Sequence, residues 1–280
     1  MLLRIEHELN YAYSQSVFLT PHYIYLTPKL SPYQELRDFS LETFPKTSKI
    51  VKNVDAESNI QHIAYFKDAC QDLQIKTSFE IESQLFNTFD VIFFPFEAER
   101  LPFQYPEAEK ILLQNYLNQE GVTTTIHQFA RQIAAEADWK TMLFLTKISK
   151  HIQENFFYEK RLEGAAHSPE KTLLTQKGTC RDYVMLMIAA CKALGIAARF
   201  VSGYAYGSPE QAHELHAWVE VYLPGGGWRS FDPTEGKVAD NQYVTLATSA
   251  QPALISPVTG TFRGTAKSTF EASVKISKIG

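Results

Sequence analysis

A cysteine, a histidine and an aspartate, Cys180, His216 and Asp232, stand in that order in the second half of this 280-residue chain. These three types can supply a nucleophile, a general base and a group that orients the base. The sulfur would attack a carbonyl, the imidazole would move the proton, and the carboxylate would hold the imidazole and favour its cationic form. Singly, each has a plainer reading. A cysteine is often a small core hydrophobe, a strand histidine a surface or satisfied core residue, and an aspartate before proline a turn residue. Their positions in the elements around them are therefore what matters.

Cys180 falls at the start of a helix. Tyr183, Leu186, Met187, Ala190, Cys191 and Leu194 recur at helical spacing and make one apolar face. Thr179 followed by Asp182 resembles a capping box, and Gly195 suits the helix end. A helix N-terminus offers free backbone N–H groups and about half a positive charge. Both favour a thiolate, which is the reactive form, and an N–H there can bind the oxyanion of a tetrahedral intermediate. Gly178, with no side chain, is expected to let a substrate approach the chain closely. Cys191 lies on the apolar face and Cys70 in a strand-rich region, so both read as packing residues.

His216 and Asp232 fall on neighbouring strands. Leu215, Ala217, Val219, Val221 and Leu223 alternate with His216, Trp218, Glu220 and Tyr222, so the two sets face opposite ways. Pro224-Gly225-Gly226-Gly227 is a turn, and Trp228 to Thr234 is the returning strand. Directly opposed hairpin residues point to one face. If Leu223 opposes Gly227, Asp232 falls opposite Trp218, with His216 as its diagonal neighbour. If Leu223 opposes Trp228, Asp232 faces away. The spacing therefore predicts an odd-length loop, or a bulge, between these strands. Zinc held by Cys180, His213 and His216 is the competing use of these residues, but their spacing matches no usual zinc pattern.

The elements that must carry these residues follow a simple order. Residues 2–97 are rich in Tyr, Phe, Ile and Val, alternate in places, and are punctuated by Pro21, Pro28, Pro32 and Pro45, as expected of a β-sandwich. A proline-containing stretch from Phe94 to Pro106 marks a boundary. Helical spacing follows: Ile111, Leu112, Tyr116 and Leu117; then Ile126, Phe129, Ala130 and Ile133; then Trp139 to about Phe156. Residues 158–177 read as a loop. After the cysteine helix come strands at 198–206, 215–223, 227–232, 242–248 and 268–278. Helices first and strands later indicate an α+β fold with a largely antiparallel sheet. The expected division is a β-rich unit over 1–105 and a catalytic unit over 106–280.

Composition narrows the setting. Hydrophobic residues make up 45% of the chain, enough for a sizeable core, and the net charge of −4 gives no reason to expect nucleic acid or an anionic membrane as partner. Arg4, Glu6 and Glu8 interrupt any secretory apolar stretch, and no apolar run is long enough to span a bilayer. Three cysteines do not make a disulfide framework. The expectation is a soluble cytoplasmic protein with a free thiol.

Four blocks, taken in order, resemble the transglutaminase-like superfamily. They are Gly178-Thr179-Cys180-Arg181-Asp182-Tyr183; Ala193-Leu194-Gly195-Ile196-Ala197-Ala198-Arg199 with Val201-Ser202-Gly203-Tyr204; His216-Ala217-Trp218-Val219-Glu220-Val221; and Gly227-Trp228 to Asp232-Pro233-Thr234. The resemblance is strong over about 140–248. His7, Tyr11-Ala12-Tyr13 and Leu26-Thr27-Pro28 are similar to the β-rich N-terminal region of bacterial members. The resemblance implies a papain-like α+β core preceded by an all-β sandwich-like domain, and a catalytic triad of Cys180, His216 and Asp232. Trp218 and Tyr204, with Gly178 and Asp182, are expected to bind substrate or support the triad. One departure is visible. Bacterial relatives carry a Gly-Arg-Asp-like motif after Asp-Pro-Thr, and here Ala247 to Leu254 stands in its place, which bears on specificity.

The implied chemistry is acyl transfer through a thioester, with a protein or peptide amide as donor and no cofactor. A primary amine as acceptor gives transamidation, and water gives hydrolysis by a cysteine peptidase or amidase. A binding scaffold that retains the motifs without catalysis is the third reading. No oligomeric state follows from the sequence.

Overall fold

The computed structural model describes residues 1–161, 164–207 and 214–280. His213, considered above as a zinc ligand, lies outside the described residues. The first part of the chain is strands: β1 (Leu2–Leu19), β2 (His22–Ile24), β3 (Gln34–Phe44), β4 (Lys49–Val54), β5 (Ile60–Tyr65) and β6 (Cys70–Ser83). In β1 the alternation is plain: Leu3, Ile5, His7 and Leu9 are buried. The residues between them point outward, where Arg4 pairs with Glu80 on β6.

Helices then take over: α1 (Glu107–Leu112), α2 (Gln114–Leu117), α3 (Thr124–Glu136) and α4 (Thr141–Asn155). After them come β7 (Phe157–Tyr158), α5 (Pro169–Thr175), β8 (Lys177–Gly178) and α6 (Cys180–Ala193). The helices expected around 126–133 and 139–156 are α3 and α4. Ile111 and Leu112, expected on a buried face, are 65% and 79% exposed, because α1 and α2 are too short to present a continuous stripe. The stretch expected to be a loop, 158–177, contains α5. Ser168 caps that helix by accepting from the Lys171 N–H, and Pro169 occupies its first turn.

The remaining strands are β9 (Ala198–Ala205), β10 (His216–Leu223), β11 (Gly227–Asp232), β12 (Lys237–Val238), β13 (Tyr243–Ser249), β14 (Val258–Thr259), β15 (Phe262–Arg263) and β16 (Ser268–Lys278). Five of them form one antiparallel sheet in the order β12-β11-β10-β9-β13. Its helix-facing side buries Ala217, Val219, Val221, Leu223 and Phe231 against α3, α4 and α6. Within that core Tyr183, Leu186, Met187, Ala190 and Cys191 are almost fully buried. Each large apolar side chain there contributes about 1.5–3 kcal/mol by leaving water. This is the α+β arrangement that the order of elements indicates.

The division at 105/106 needs correction at its far end. Strands β14, β15 and β16, placed by the sequence in the second unit, complete the sheets of the first. β14 pairs β2, while β15 and β16 pair β1. The reason is edge satisfaction. β6 covers one edge of the long β1, and β16 supplies partners for the N–H and C=O groups on the other. The first unit is thus a sandwich of two sheets, β15-β1-β6-β3 with β16, and β14-β2-β5-β4. They share a core of Leu3, Ile5, Leu9, Ile24, Leu26, Ala64 and Ile75.

Tyr204, Val244 and Leu246, from the second unit's sheet, are part of that same core. Two side-chain amides strengthen the join. Gln34 donates to the Thr245 carbonyl at 2.9 Å and accepts from the Thr245 N–H at 3.1 Å. Asn59 does the same for Thr248, 2.9 Å each way. Between these clamps β13 bulges against β9, between Thr245 and Ala247. The amides thereby satisfy backbone groups on the open edge of β13.

Candidate active site

The hairpin settles the register first. Leu223 lies opposite Gly227 and Val219 opposite Phe231, so the loop has three residues, the odd length required. Gly225 and Gly227 have φ of +75° and +71°, which only glycine adopts readily. At Gly225 a Cβ would also lie 2.3 Å from the Ile92 carbonyl oxygen. With this register Asp232 and His216 share one face. The Asp232 Oδ2 lies 2.6 Å from His216 Nε2, and both side chains are fully buried.

Cys180 opens α6 and is 6% exposed. Its sulfur is a hydrogen-bonding partner of the His216 ring. Asp232 holds Nε2, so Nδ1 is the nitrogen left to exchange a proton with sulfur. The structure therefore brings Cys180, His216 and Asp232 into one line. Burial works against a charged imidazole, but the Asp232 carboxylate and the Cys180 sulfur outweigh it and push His216 up to about 10. Asp232 moves the other way. Burial opposes its charge, yet the imidazole, the Tyr243 hydroxyl and the Thr234 N–H hold its carboxyl below the usual range. At neutral pH the site favours an imidazolium beside sulfur, the pairing that sustains a thiolate.

Asp232 is fixed by residues that the sequence did not single out. Tyr243 donates its hydroxyl to Oδ2 at 2.7 Å, and the N–H groups of Thr234 and Glu235 reach Oδ1 at 2.8 and 3.3 Å. Ser149, on α4, donates to the Asp232 carbonyl at 2.8 Å. The turn donors belong to a local pattern, Asp-Pro-Thr, that signals an Asx-type turn. Nothing local marks Tyr243 or Ser149, since their partner is distant along the chain. Burial and the Asp232 charge push the Tyr243 hydroxyl well up, so it stays a donor.

Trp218 is 1% exposed and stands behind the triad, its ring 6.1 Å from that of His216 and 5.2 Å from that of Tyr243. Gly203 makes this possible. A Cβ there would sit 2.1 Å from the Val244 carbonyl oxygen and 2.5 Å from the indole. Trp218 thus packs against His216 and Tyr243.

Two other expectations, for Gly178 and Tyr204, change, while Asp182 closes the capping box expected of it. Gly178 does not open a path for substrate: its missing Cβ would fall 2.6 Å from the Asp182 Cβ, so the glycine makes room for Asp182. Asp182 is fully buried. One carboxylate oxygen accepts from the Thr179 N–H at 2.7 Å. The other accepts from the His167 N–H at 2.6 Å and from Arg161 at 3.0 Å. It caps the cysteine helix and ties down the segment before α5, and these donors hold its carboxyl low against the opposing effect of burial. Tyr204 points away from the triad into the sandwich core, where its hydroxyl lies 2.8 Å from His7 Nδ1. Burial pulls His7 down to about 4, so the contact joins two neutral groups. Alternation explains the displacement: β9 sends neighbouring residues to opposite faces.

Cys191 is fully buried and burial pushes its thiol up, as suits a packing residue. Among the described residues no cluster of His, Cys, Asp or Glu has the arrangement of a metal site.

Residues 127–233 match the transglutaminase-like superfamily core, and residues 3–82 match the bacterial transglutaminase-like N-terminal region. An uncharacterised Mycobacterium tuberculosis protein is 23% identical over 273 residues, spanning 92% of this chain and 86% of its own length. A protein-glutamine gamma-glutamyltransferase of Pseudomonas aeruginosa is 40% identical over 68 residues, which is 21% of this chain and 10% of that protein. In three dimensions, a candidate cysteine protease from Cytophaga hutchinsonii superposes with a TM-score of 0.73 at 22% identity, over 99% of this chain and 90% of that one. That likeness concerns the fold.

Proposed function

The chain belongs to the transglutaminase-like superfamily, and on that premise we propose that it is a thiol-dependent acyltransferase acting on protein or peptide amides. The observation that carries this reading is the buried line from Cys180 through His216 to Asp232.

In the proposed reaction His216 takes the Cys180 proton on Nδ1. The thiolate attacks the amide carbon, and the carbonyl π pair moves to oxygen. A backbone N–H at the start of α6 serves as donor to that oxyanion in this reading. As the oxygen pair returns, the C–N bond breaks and the imidazolium gives its proton to the leaving amine. The product is a thioester on Cys180. An acceptor amine, or water, then adds to the thioester carbon, loses its proton to His216, and releases the thiolate. Asp232 stays ionised throughout, orienting the ring and stabilising its cation. No step needs a cofactor.

The test is a paired assay on wild type and Cys180→Ala. One arm follows incorporation of a labelled primary amine into casein; the other follows amide hydrolysis of the same protein. Amine incorporation that disappears in Cys180→Ala supports acyl transfer to amines. Hydrolysis alone makes the protein a peptidase or amidase on the same triad. Absence of both, together with slow alkylation of Cys180 at neutral pH unaltered in His216→Ala, would favour a non-catalytic scaffold.

A further inference from the structure

A cavity of about 410 Å³ lies where the sandwich meets the outer face of the second sheet. Lys29, Tyr33 and Phe86 line it from one side and Trp218, Arg229 and Thr248 from the other. None of Cys180, His216 and Asp232 lines it, so it is distinct from the reacting centre. Trp218 and Tyr243 line it and also pack against the triad, so they stand between the two.

Its walls carry unused hydrogen-bonding capacity. Among the described residues, Trp218 Nε1, Arg229 Nε and Thr248 Oγ1 are buried and have no hydrogen-bond partner. Trp218 and Thr248 are each 1% exposed. A buried donor without an acceptor costs about 1–3 kcal/mol, so three such groups lining one chamber call for an acceptor within it. Two of the three, the indole N–H and the guanidinium N–H, can only donate.

The charges point the same way. Lys29 donates to the Glu57 carbonyl at 2.5 Å and to Asn59 Oδ1 at 2.9 Å, both neutral. Arg229 donates to the carbonyls of Trp228 and Asp90, and no carboxylate forms an ion pair with it among the described residues. Of the two acidic residues lining the cavity, Glu220 is engaged by Arg199 at 2.7 Å, and Asp240 accepts from the Gln242 N–H at 2.8 Å. Burial, helped by Arg199, pulls Lys29 down to about 8 against the attraction of Asp55, Glu220 and Glu57. The body of the cavity is aromatic: Tyr33 and Phe86 lie 4.2 Å apart, and the Arg229 guanidinium sits 4.6 Å over Phe86.

We propose that this domain-junction cavity binds a small organic carboxylate, its acid group taking the hydrogen bonds of Trp218, Arg229 and Thr248 and its apolar body resting on Tyr33 and Phe86. The carboxylate supplies the missing acceptors and a counter-charge for Arg229 and Lys29. The aromatic lining suits a short aryl or alkyl body.

The test uses benzoate as probe, with benzamide as its neutral counterpart, on the full chain. Calorimetry gives affinity, and the Trp218 indole N–H signal in nitrogen-15 NMR, assigned by Trp218→Phe, gives location. Benzoate should bind saturably, move that signal, and bind at least about tenfold more tightly than benzamide, the factor equivalent to about 1.4 kcal/mol. Arg229→Gln and Lys29→Met should each weaken benzoate by about tenfold or more. If Arg229→Gln does not fold, Lys29→Met carries the comparison. Equal affinity for acid and amide, unchanged affinity in the folded variants, or no saturable movement of the Trp218 signal would overturn the proposal.

Discussion

Replacing Tyr243 by phenylalanine removes one oxygen from the centre of the site and leaves the ring. That oxygen donates to Asp232 Oδ2 at 2.7 Å, where both residues are buried. Asp232 keeps the His216 bond at 2.6 Å and the two turn N–H donors at 2.8 and 3.3 Å. One of four charge-assisted bonds is lost, so the folded state should weaken by about 1.5–3 kcal/mol at pH 7. The sign of the pH dependence follows from Asp232. Its folded carboxyl is held below the usual 3.8, so the stability it contributes is present above that value and fades as pH falls through the lower, folded value. The difference between wild type and Tyr243→Phe should therefore be full at pH 7 and no larger at pH 3, shrinking once the folded carboxyl takes its proton. Urea titrations at both pH values measure it. Tyr243 touches no reacting atom and is a positioning residue. It should lower kcat by about tenfold while leaving KM nearly unchanged, because the His216 ring loses a firmly held carboxylate. A stability difference that grows as pH falls from 7 to 3, or an unaltered kcat, would refute this reasoning.

Asp232→Asn should fold and lose activity by about three to four orders of magnitude, since the amide cannot stabilise an imidazolium; steady-state kinetics check it. In kcat/KM against pH, the basic limb should fall as pH rises through about 10, where His216 gives up its proton. The stability that His216 gains from Asp232 has the same sign. It is present below the ordinary histidine value of 6.5 and is lost as pH rises through about 10. Gly203→Ala should cost about 3 kcal/mol or more and red-shift or broaden tryptophan emission, because the new Cβ meets the Val244 carbonyl and displaces the buried Trp218 indole. Asp182→Ala should cost about 2–3 kcal/mol and make the segment around His167 more protease-sensitive, since it removes the acceptor shared by Thr179, His167 and Arg161.

Local sequence carried a good deal of this. The apolar spacing from Tyr183 to Leu194 and the Thr179-to-Asp182 pattern define α6 and place Cys180 in its first turn, as found. The hairpin register followed from side-chain alternation and the Pro224–Gly227 turn, because a slip by one residue would turn Asp232 away from His216. The helix start at Ser168-Pro169 was equally local, and a reading of caps rather than of apolar periodicity would have found α5. Tyr204 shows where family position misleads. It lies near the site in sequence pattern, but strand alternation sends it into the sandwich with His7.

The amino-acid sequence alone determined which residues can do chemistry, the helix tip that holds the sulfur, and the face shared by His216 and Asp232. All of these depend on interactions within one element or across one tight turn. Only tertiary structure decided that Tyr243 and Ser149 brace Asp232, that Gly203 makes room for Trp218, and that β16 returns to close the first sheet. Those contacts join segments far apart along the chain, where neither periodicity nor turn chemistry reaches. What selects them is the demand that every buried polar group and strand edge find a partner once the two units have packed together.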